Sequence, residues 1–302
     1  MNLKDIKKFA DTIEGELIFD YDISKSNWFN IGGKTKIFFK PYSLKELVSF
    51  LKLYKKRKKI FLLGAGSNLL ISDKLFEGVI IKLGKRFNNI SQISNDTIIA
   101  GSNVLDKKLS EFAMQKEIGG LEFLSCIPGT VGGGIRMNSG CYNNEFKNVI
   151  ISVQAVDYSG NLRTIPAHKI DFFYRGSNLP KELIFLSATF KGLEKRKSEI
   201  EKEVNRLKSI KNQTQPSKVK TGGSTFKNPI GKIDKKVWQL IKESVPSNIS
   251  FGDASISPNH YNFFVNKNNA KFSDMKRLIL YVKERVKEKF DIDLELEIVI
   301  LE

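Results

Sequence analysis

Ile60-Phe61-Leu62-Leu63-Gly64-Ala65-Gly66-Ser67-Asn68 is a short apolar run that ends on a glycine turn, the pattern of a buried strand feeding its chain into a loop. Just upstream, residues 43–57 predict an amphipathic helix. Ser43 stands as N-cap with Glu46 three residues on, the spacing of a capping box, and Leu44, Leu47, Val48 and Leu51 share one face. Downstream, Gly78-Val79-Ile80-Ile81-Lys82-Leu83 reads as a second buried strand. Helix, strand, glycine turn and strand in such close succession predict an α+β or α/β core.

The pattern continues along the chain. Residues 107–118 predict a helix with Leu109, Phe112, Ala113 and Ile118 as its apolar face, and Val149–Tyr158 and Leu183–Lys191 predict strands around Phe172-Phe173-Tyr174-Arg175. The stretch from Gly129 to Gly140 is the richest in glycine, and that density argues against regular helix there. Residues 194–211 are nearly all charged, with Ile200, Val204 and Leu207 at sparse helical spacing, which suits an exposed helix joining two units. Ile233–Glu243 predicts another helix. Residues 274–290 predict a stronger one, with Ser273 as N-cap and Met275, Leu278, Ile279, Val282, Val286 and Phe290 on one face. From Ile292 to Leu301 the alternation is that of a strand: Ile292, Leu294, Leu296, Ile298 and Ile300 on one side, Asp293, Glu295, Glu297, Val299 and Leu301 on the other.

Composition narrows the function classes. A chain of 302 residues, 41% hydrophobic and 11% aromatic, is long enough for two or three units with cores of their own. Neither the start, Met1-Asn2-Leu3-Lys4-Asp5-Ile6-Lys7-Lys8, nor any apolar run supplies a secretory or membrane-spanning segment, so a soluble cytoplasmic protein is expected, with no membrane partner. Two cysteines, Cys126 and Cys141, form no CxxC pair, and two histidines, His168 and His260, leave metal ligation little to work with; no metal is expected. The net charge of +17 raises the question of nucleic acid. Lysine is spread along the whole chain, however, and its densest run, Lys55-Lys56-Arg57-Lys58-Lys59, ends a predicted helix where cations suit the dipole. Solvated faces are favoured and no nucleic-acid partner is expected.

Three stretches carry candidate chemistry. Gly64-Ala65-Gly66-Ser67-Asn68-Leu69 follows a strand, so its backbone N–H groups could cradle phosphate oxygens. Leu69 stands where a Rossmann fingerprint needs glycine, and Trp28 where a Walker loop ending at Gly33-Lys34-Thr35 would need one. With the second cluster at 129–140, two glycine-rich segments suggest either a long phosphate-bearing ligand or two tight turns. Gly222-Gly223-Ser224-Thr225-Phe226-Lys227-Asn228-Pro229 sets one hydroxyl beside two glycines and ahead of a cation, an amide and a stiff turn. It is read either as a ligand-facing loop or as a tight turn.

Taken in order, Phe29-Asn30-Ile31-Gly32-Gly33, Leu63-Gly64-Ala65-Gly66-Ser67-Asn68-Leu69-Leu70, Gly120-Leu121-Glu122-Phe123-Leu124 with Ile127-Pro128-Gly129-Thr130-Val131-Gly132-Gly133, Tyr174-Arg175-Gly176-Ser177 and Gly223-Ser224-Thr225-Phe226-Lys227-Asn228-Pro229 resemble the signature of the UDP-N-acetylenolpyruvoylglucosamine reductases. The likeness runs from near residue 27 to the C-terminus. It implies an α+β protein: a two-subdomain FAD-binding unit of the vanillyl-alcohol-oxidase (PCMH) type, residues 1–85 and 86–193, and a C-terminal α+β substrate domain, residues 194–302. It implies non-covalent FAD, NADPH as cosubstrate, and a nucleotide-sugar substrate whose enolpyruvyl ether is reduced for peptidoglycan synthesis. The alternative is another FAD-dependent oxidase or dehydrogenase of the same fold with a different substrate.

By the same likeness Gly64, Ala65, Gly66, Ser67 and Asn68 would hold the FAD diphosphate, and Pro128, Gly129, Thr130, Gly132, Gly133 and Asn138 would line the cofactor further along. Arg175, Ser224 and Glu297 would form the catalytic set, with Tyr174, Lys227, Asn228 and His260 toward substrate. For His260 ordinary packing reads equally well, and only the family register separates Glu297 from Glu295. The chain departs from the family where Cys126 replaces the usual glycine, and its short interval from Arg175 to Ser224 resembles the subtype without an inserted tyrosine-bearing loop.

Overall fold

A computed structural model describes residues 3–54 and 59–302. Met1-Asn2 and the basic run Lys55-Lys56-Arg57-Lys58, expected at the end of the first amphipathic helix, lie outside them. The described residues gather into two units, each discontinuous in sequence. The first comprises the chain up to Asp20 with Lys36–Ala65 and Glu77–Ile210; the second comprises Tyr21–Thr35, Gly66–Phe76 and Lys211–Glu302. The sequence reading divides the chain into consecutive parts, 1–85, 86–193 and 194–302. Two short stretches, 21–35 and 66–76, instead pack with the C-terminal part, because Phe29, Ile31 and Leu70 are wholly buried in the same cluster as Phe226 and Phe264.

In the first unit the opening stretch folds as its pattern dictates. Strand Ile60–Leu62 pairs in parallel with Val79–Ile81, in a sheet ordered Glu16–Asp22, Lys34–Lys40, Phe76–Ile81, Ile60–Leu62. Helix Leu44–Tyr54 covers it. Its Phe50 ring lies 4.3 Å from Phe39 and 5.4 Å from Tyr54, and burying each such side chain stabilises by roughly 1.5–3 kcal/mol. The cap is half of the expected box. Ser43 Oγ accepts from Glu46 N at 3.3 Å, but the Glu46 carboxylate accepts from the N–H groups of Tyr42 and Glu14 rather than reaching back to Ser43.

An antiparallel sheet of five strands, ordered Leu162–Pro166, Ile150–Val156, Ile184–Lys191, Thr97–Gly101 and Ile90–Ser94, makes the other half of this unit. Its core takes in Leu109 and Ala113 of helix Asp106–Gln115 and Leu207 of helix Lys197–Thr214. The glycine-rich stretch corrects the sequence reading, for Val131–Met137 is α-helical. Three consecutive glycines cost roughly 1 kcal/mol each against alanine. The packing requires one of them and crowds a second: a Cβ on Gly134 would enter the Phe146 ring, and one on Gly132 would lie 3.1 Å from Ser102 Cβ, while one on Gly133 would meet only Thr130 Oγ1, at 3.5 Å. Thr130 caps the start by accepting from Gly133 N at 3.4 Å, and Asn138 ends the helix in the left-handed region at φ 41°.

The second unit is a four-stranded antiparallel sheet, ordered Lys220–Ser224, His260–Asn266, Ala254–Ser257, Ser250–Phe251. Helices Val237–Ser244 and Phe272–Phe290 pack on it through Leu240, Ile241, Met275, Leu278, Ile279, Val282 and Val286. The long helix starts earlier than expected. Lys271, not Ser273, is its N-cap, Asp274 Oδ2 accepts from Lys271 N at 3.0 Å, and Asp73 Oδ2 accepts from Phe272 N at 2.8 Å. The C-terminal strand is also shorter. Residues 297–298 form a bend, and only Val299–Leu301 pairs, in parallel, with Leu69–Ile71. The bend reverses the parity, so Ile292 and Leu294 are buried before it, Ile298 within it and Leu301 after it.

Candidate active site

In the first unit the two glycine clusters meet. A Cβ on Gly64 would lie 2.7 Å from Thr130 Oγ1, so the approach of these segments requires glycine. The N–H groups of Gly64 and Ala65 take no acceptor among the described residues, which leaves them for an anionic group. The second cluster contributes shape more than donors. Gly132 N donates to Ser102 O at 2.8 Å, Gly133 N to Thr130 Oγ1, and Gly129 O accepts from Asp106 N at 3.1 Å, while Pro128 is exposed at the segment's edge.

Behind this segment sits a group absent from the sequence reading. Asp106 is wholly buried, neither carboxyl oxygen has a hydrogen-bond partner among the described residues, and a Cβ on Gly129 would lie 2.6 Å from its Oδ2. Burial pushes this carboxyl well above its ordinary range. The folded chain therefore keeps the proton where the unfolded chain has released it, and stability falls as pH rises from the ordinary carboxylate range toward the folded value. Asp106→Asn removes that dependence. Its melting temperature relative to wild type is expected to be higher at pH 8 than at pH 5, by on the order of 2 °C or more. A difference equal at both pH values in thermal melts would refute the assignment.

Tyr174 and Arg175 lie in the connection between the two-residue strands Phe172–Phe173 and Gly176–Ser177. Arg175 has φ +58°, a left-handed conformation that a non-glycine residue adopts at a cost. Its Nη2 donates to Gly140 O at 3.2 Å, its Nη1 lies 3.8 Å from Glu145 Oε1, and its guanidinium sits 4.8 Å from the Tyr174 ring centroid. Asn138, expected along the cofactor, is fully buried. Its Nδ2 donates to Glu145 Oε2 at 3.0 Å and Phe173 O at 3.1 Å, and its Oδ1 accepts from Lys147 N at 3.0 Å.

The second unit holds the remaining candidates. Ser224 ends strand Lys220–Ser224 opposite Phe263, after a register shift at Gly222-Gly223. Gly222 is pressed against the wholly buried Phe29 ring and has no room for a Cβ. Gly223 has φ +79° and open space where a Cβ would be. Ser224 is half-buried, and its Oγ makes no hydrogen bond to the described residues. The segment after it is clamped by Asn262. Thr225 N donates to Asn262 O at 2.8 Å, while the Asn262 amide accepts from Phe226 N at 3.0 Å and donates to Phe226 O at 2.9 Å. Thr225 O accepts from Glu297 N at 2.9 Å.

That contact separates the two glutamates. Glu295 is exposed and within 3.7 Å of Lys227 Nζ and 3.9 Å of Lys232 Nζ. Glu297, in the bend, is half-buried, and its carbonyl accepts from Asn68 Nδ2 at 2.9 Å. Gly66 has φ +69°, where a Cβ would strike the carbonyl of Ser26, and Ser67 N takes no acceptor among the described residues. Asn228 Oδ1 accepts from Val237 N at 3.0 Å at the start of helix Val237–Ser244. His260 packs its ring 4.7 Å from Phe263 and 6.5 Å from Trp238, and its Nδ1 accepts from Asn262 N at 3.2 Å. Burial holds it below the usual histidine range, toward the neutral form.

Comparison with known proteins covers the chain nearly end to end. A family model described as UDP-N-acetylenolpyruvoylglucosamine reductase, C-terminal domain, matches residues 215–301, and one described as FAD binding domain matches residues 35–166. The UDP-N-acetylenolpyruvoylglucosamine reductase of Pelagibacter ubique is 60% identical over 301 residues, covering 100% of this chain and 100% of that one. That of Rickettsia bellii is 43% identical over 286 residues, 95% of this chain and 94% of the other. The chain belongs to the UDP-N-acetylenolpyruvoylglucosamine reductase family. The crystal structure of the enzyme from Thermus caldophilus matches at TM-score 0.81 and 27% identity, over 96% of this chain and 100% of that one.

As a member of this reductase family the chain has the α+β flavin-binding fold that its motifs implied. Its residues fit FAD. Gly64 leaves a cradle that a Cβ would close, and among the described residues the donors at Gly64 and Ala65 are unengaged and Ser102 Oγ is buried without a partner beside Gly132. Among the described residues no cluster of three or more His, Cys, Asp or Glu could hold a metal, and no helix is long and apolar enough to cross a membrane. Sequence reasoning passed over Asp106, Glu145 and Asn262. Asn262 lay inside the quoted His260-Tyr261-Asn262-Phe263 run, whereas nothing in the local pattern marks Asp106 or Glu145.

Proposed function

We propose that Ser224, Arg175 and Glu297 perform the chemistry of this reductase. The activity is that of the family: NADPH-dependent reduction of the enolpyruvyl ether of UDP-N-acetylglucosamine enolpyruvate to UDP-N-acetylmuramate, for peptidoglycan precursor synthesis. The end-to-end 60% identity carries it. Gly64, Ala65, Gly66 and Ser67 would hold the FAD diphosphate, and Pro128, Gly129, Thr130, Gly132 and Gly133 would shape the cofactor's wall. FAD held there would supply the transfer of hydride from NADPH to the vinyl carbon of the substrate.

Charge then develops on the substrate carboxylate, and Arg175 is the group suited to meet it, since a guanidinium engages a carboxylate bidentately where an ammonium cannot. The carbon next to that carboxylate needs a proton. Ser224 Oγ supplies it; supporting this role are its lack of a hydrogen-bond partner among the described residues and the open space at Gly223. Glu297 orients the reacting group, and its half-burial in the bend favours it over the exposed Glu295. Tyr174 would wall the arginine, and Lys227 and His260 would contact substrate. Asn68 and Asn228 each use a side-chain atom on backbone, so their roles are to position Glu297 and to start the following helix.

The reading includes a cytoplasmic location, where a UDP-sugar and NADPH are both supplied. Its test is an absorbance spectrum followed by an NADPH oxidation assay. The purified protein is expected to be yellow and to turn over only with UDP-N-acetylglucosamine enolpyruvate. A protein that stays colourless with added FAD, or that oxidises NADPH at the same rate without that substrate, would overturn it.

A further inference from the structure

Arg175 is held by a small hairpin that begins where the second glycine cluster ends, at Gly140. Strands Gly140–Cys141 and Asn144–Glu145 pair antiparallel, with Glu145 opposite Gly140. The residues between them, Tyr142 and Asn143, have φ of 51° and 66°, the pair of positive values that a tight two-residue hairpin of type I′ needs. The cross-strand partners grip the same guanidinium, Gly140 through its carbonyl at 3.2 Å and Glu145 through a carboxylate oxygen at 3.8 Å. The other Glu145 oxygen accepts from Asn138 Nδ2 at 3.0 Å and lies 2.9 Å from Lys147 Nζ. Asn138 is wholly buried and uses both ends of its amide. An amide so placed cannot swing without breaking three hydrogen bonds, so it fixes the carboxylate, and the carboxylate fixes the guanidinium.

We infer that Glu145, oriented by Asn138, is the positioning residue that sets the direction of the Arg175 guanidinium for the enolpyruvyl carboxylate. The inference rests on the reading of Arg175 as the group that meets that carboxylate. A fixed counter-ion serves this purpose because the left-handed backbone at Arg175 gives its side chain an uncommon departure angle. Glu145 and Gly140 then restore a defined aim. A misdirected cation still attracts substrate but fails to follow the charge as it develops, and geometric errors of this kind cost up to about a hundredfold in rate.

The test compares Glu145→Gln, which keeps an oxygen for Asn138 but removes the charge, with Arg175→Lys, in FAD-loaded protein. Glu145→Gln is expected to lower kcat for substrate reduction about tenfold or more with KM changed less than about threefold. Flavin reduction by NADPH and the melting temperature should stay at wild-type values, and Glu145→Asp should recover part of kcat. If Glu145→Gln reduces substrate at the wild-type rate while Arg175→Lys does not, the positioning role is wrong. If both half-reactions and the melting temperature fall together in Glu145→Gln, Glu145 is structural and the inference fails. If Arg175→Lys itself reduces substrate normally, the reading of the arginine fails first.

Discussion

Ser224→Ala is expected to leave flavin reduction by NADPH within about twofold of wild type while slowing substrate reduction by about 10²–10⁴-fold, the range a positioned proton donor contributes. The split follows from where the hydroxyl sits. Its Oγ makes no hydrogen bond to the described residues, so removing it breaks no contact that holds the fold. Its backbone is secured independently, by pairing with Phe263 and by the Asn262 clamp on the next two residues. The melting temperature should therefore stay within about 1 °C of wild type. Ser224→Cys, which restores a proton donor of lower pKa, should recover part of the rate. Stopped-flow measurement of the two half-reactions decides the matter, and equal loss in both would show that the serine is not the specific donor.

Arg175→Lys should cost about 10²–10³-fold in substrate reduction, the loss seen when one donor to a developing charge is removed. Lysine keeps the charge but not the fork, so it can meet a carboxylate at one point only. It also gives up the contact of the guanidinium with the Tyr174 ring and the paired grip of Gly140 and Glu145. KM for the substrate should rise as well, because the carboxylate is present before the reaction begins, so kcat/KM falls further than kcat. Flavin reduction again reports whether the damage is local. A variant that turns over substrate at near wild-type kcat would remove Arg175 from the chemistry.

Much of the fold was legible because it is written in short-range pattern. Helix Phe272–Phe290 follows from apolar residues at three- and four-residue steps, and strands Ile60–Leu62 and Phe76–Ile81 from apolar runs beside glycine. Where local rules failed, a distant partner had intervened. The glycine helix Val131–Met137 breaks propensity because Phe146 and Ser102 crowd its surface. Ser273 loses the N-cap because Asp73, 199 residues away, meets Phe272 N. The final strand is cut at Glu297 because its N–H and carbonyl are claimed by Thr225 and Asn68.

The same division runs through the candidate site. Sequence by itself determined which groups are available and in what order: the strand-ending glycine turn at 64–66, the second cluster from Gly129, an arginine, a serine beside two glycines and a pair of glutamates two residues apart. Tertiary structure alone decided how each of them is buried and what it touches. It turned Glu297 inward and left Glu295 to surface lysines, used the Asn138 amide to hold Glu145, and set Gly64 against Thr130. The reason is range. Periodicity and capping act over a turn or two of chain, whereas the hydrogen bond from Asn68 to Glu297 joins residues 229 positions apart, and no local pattern carries that contact.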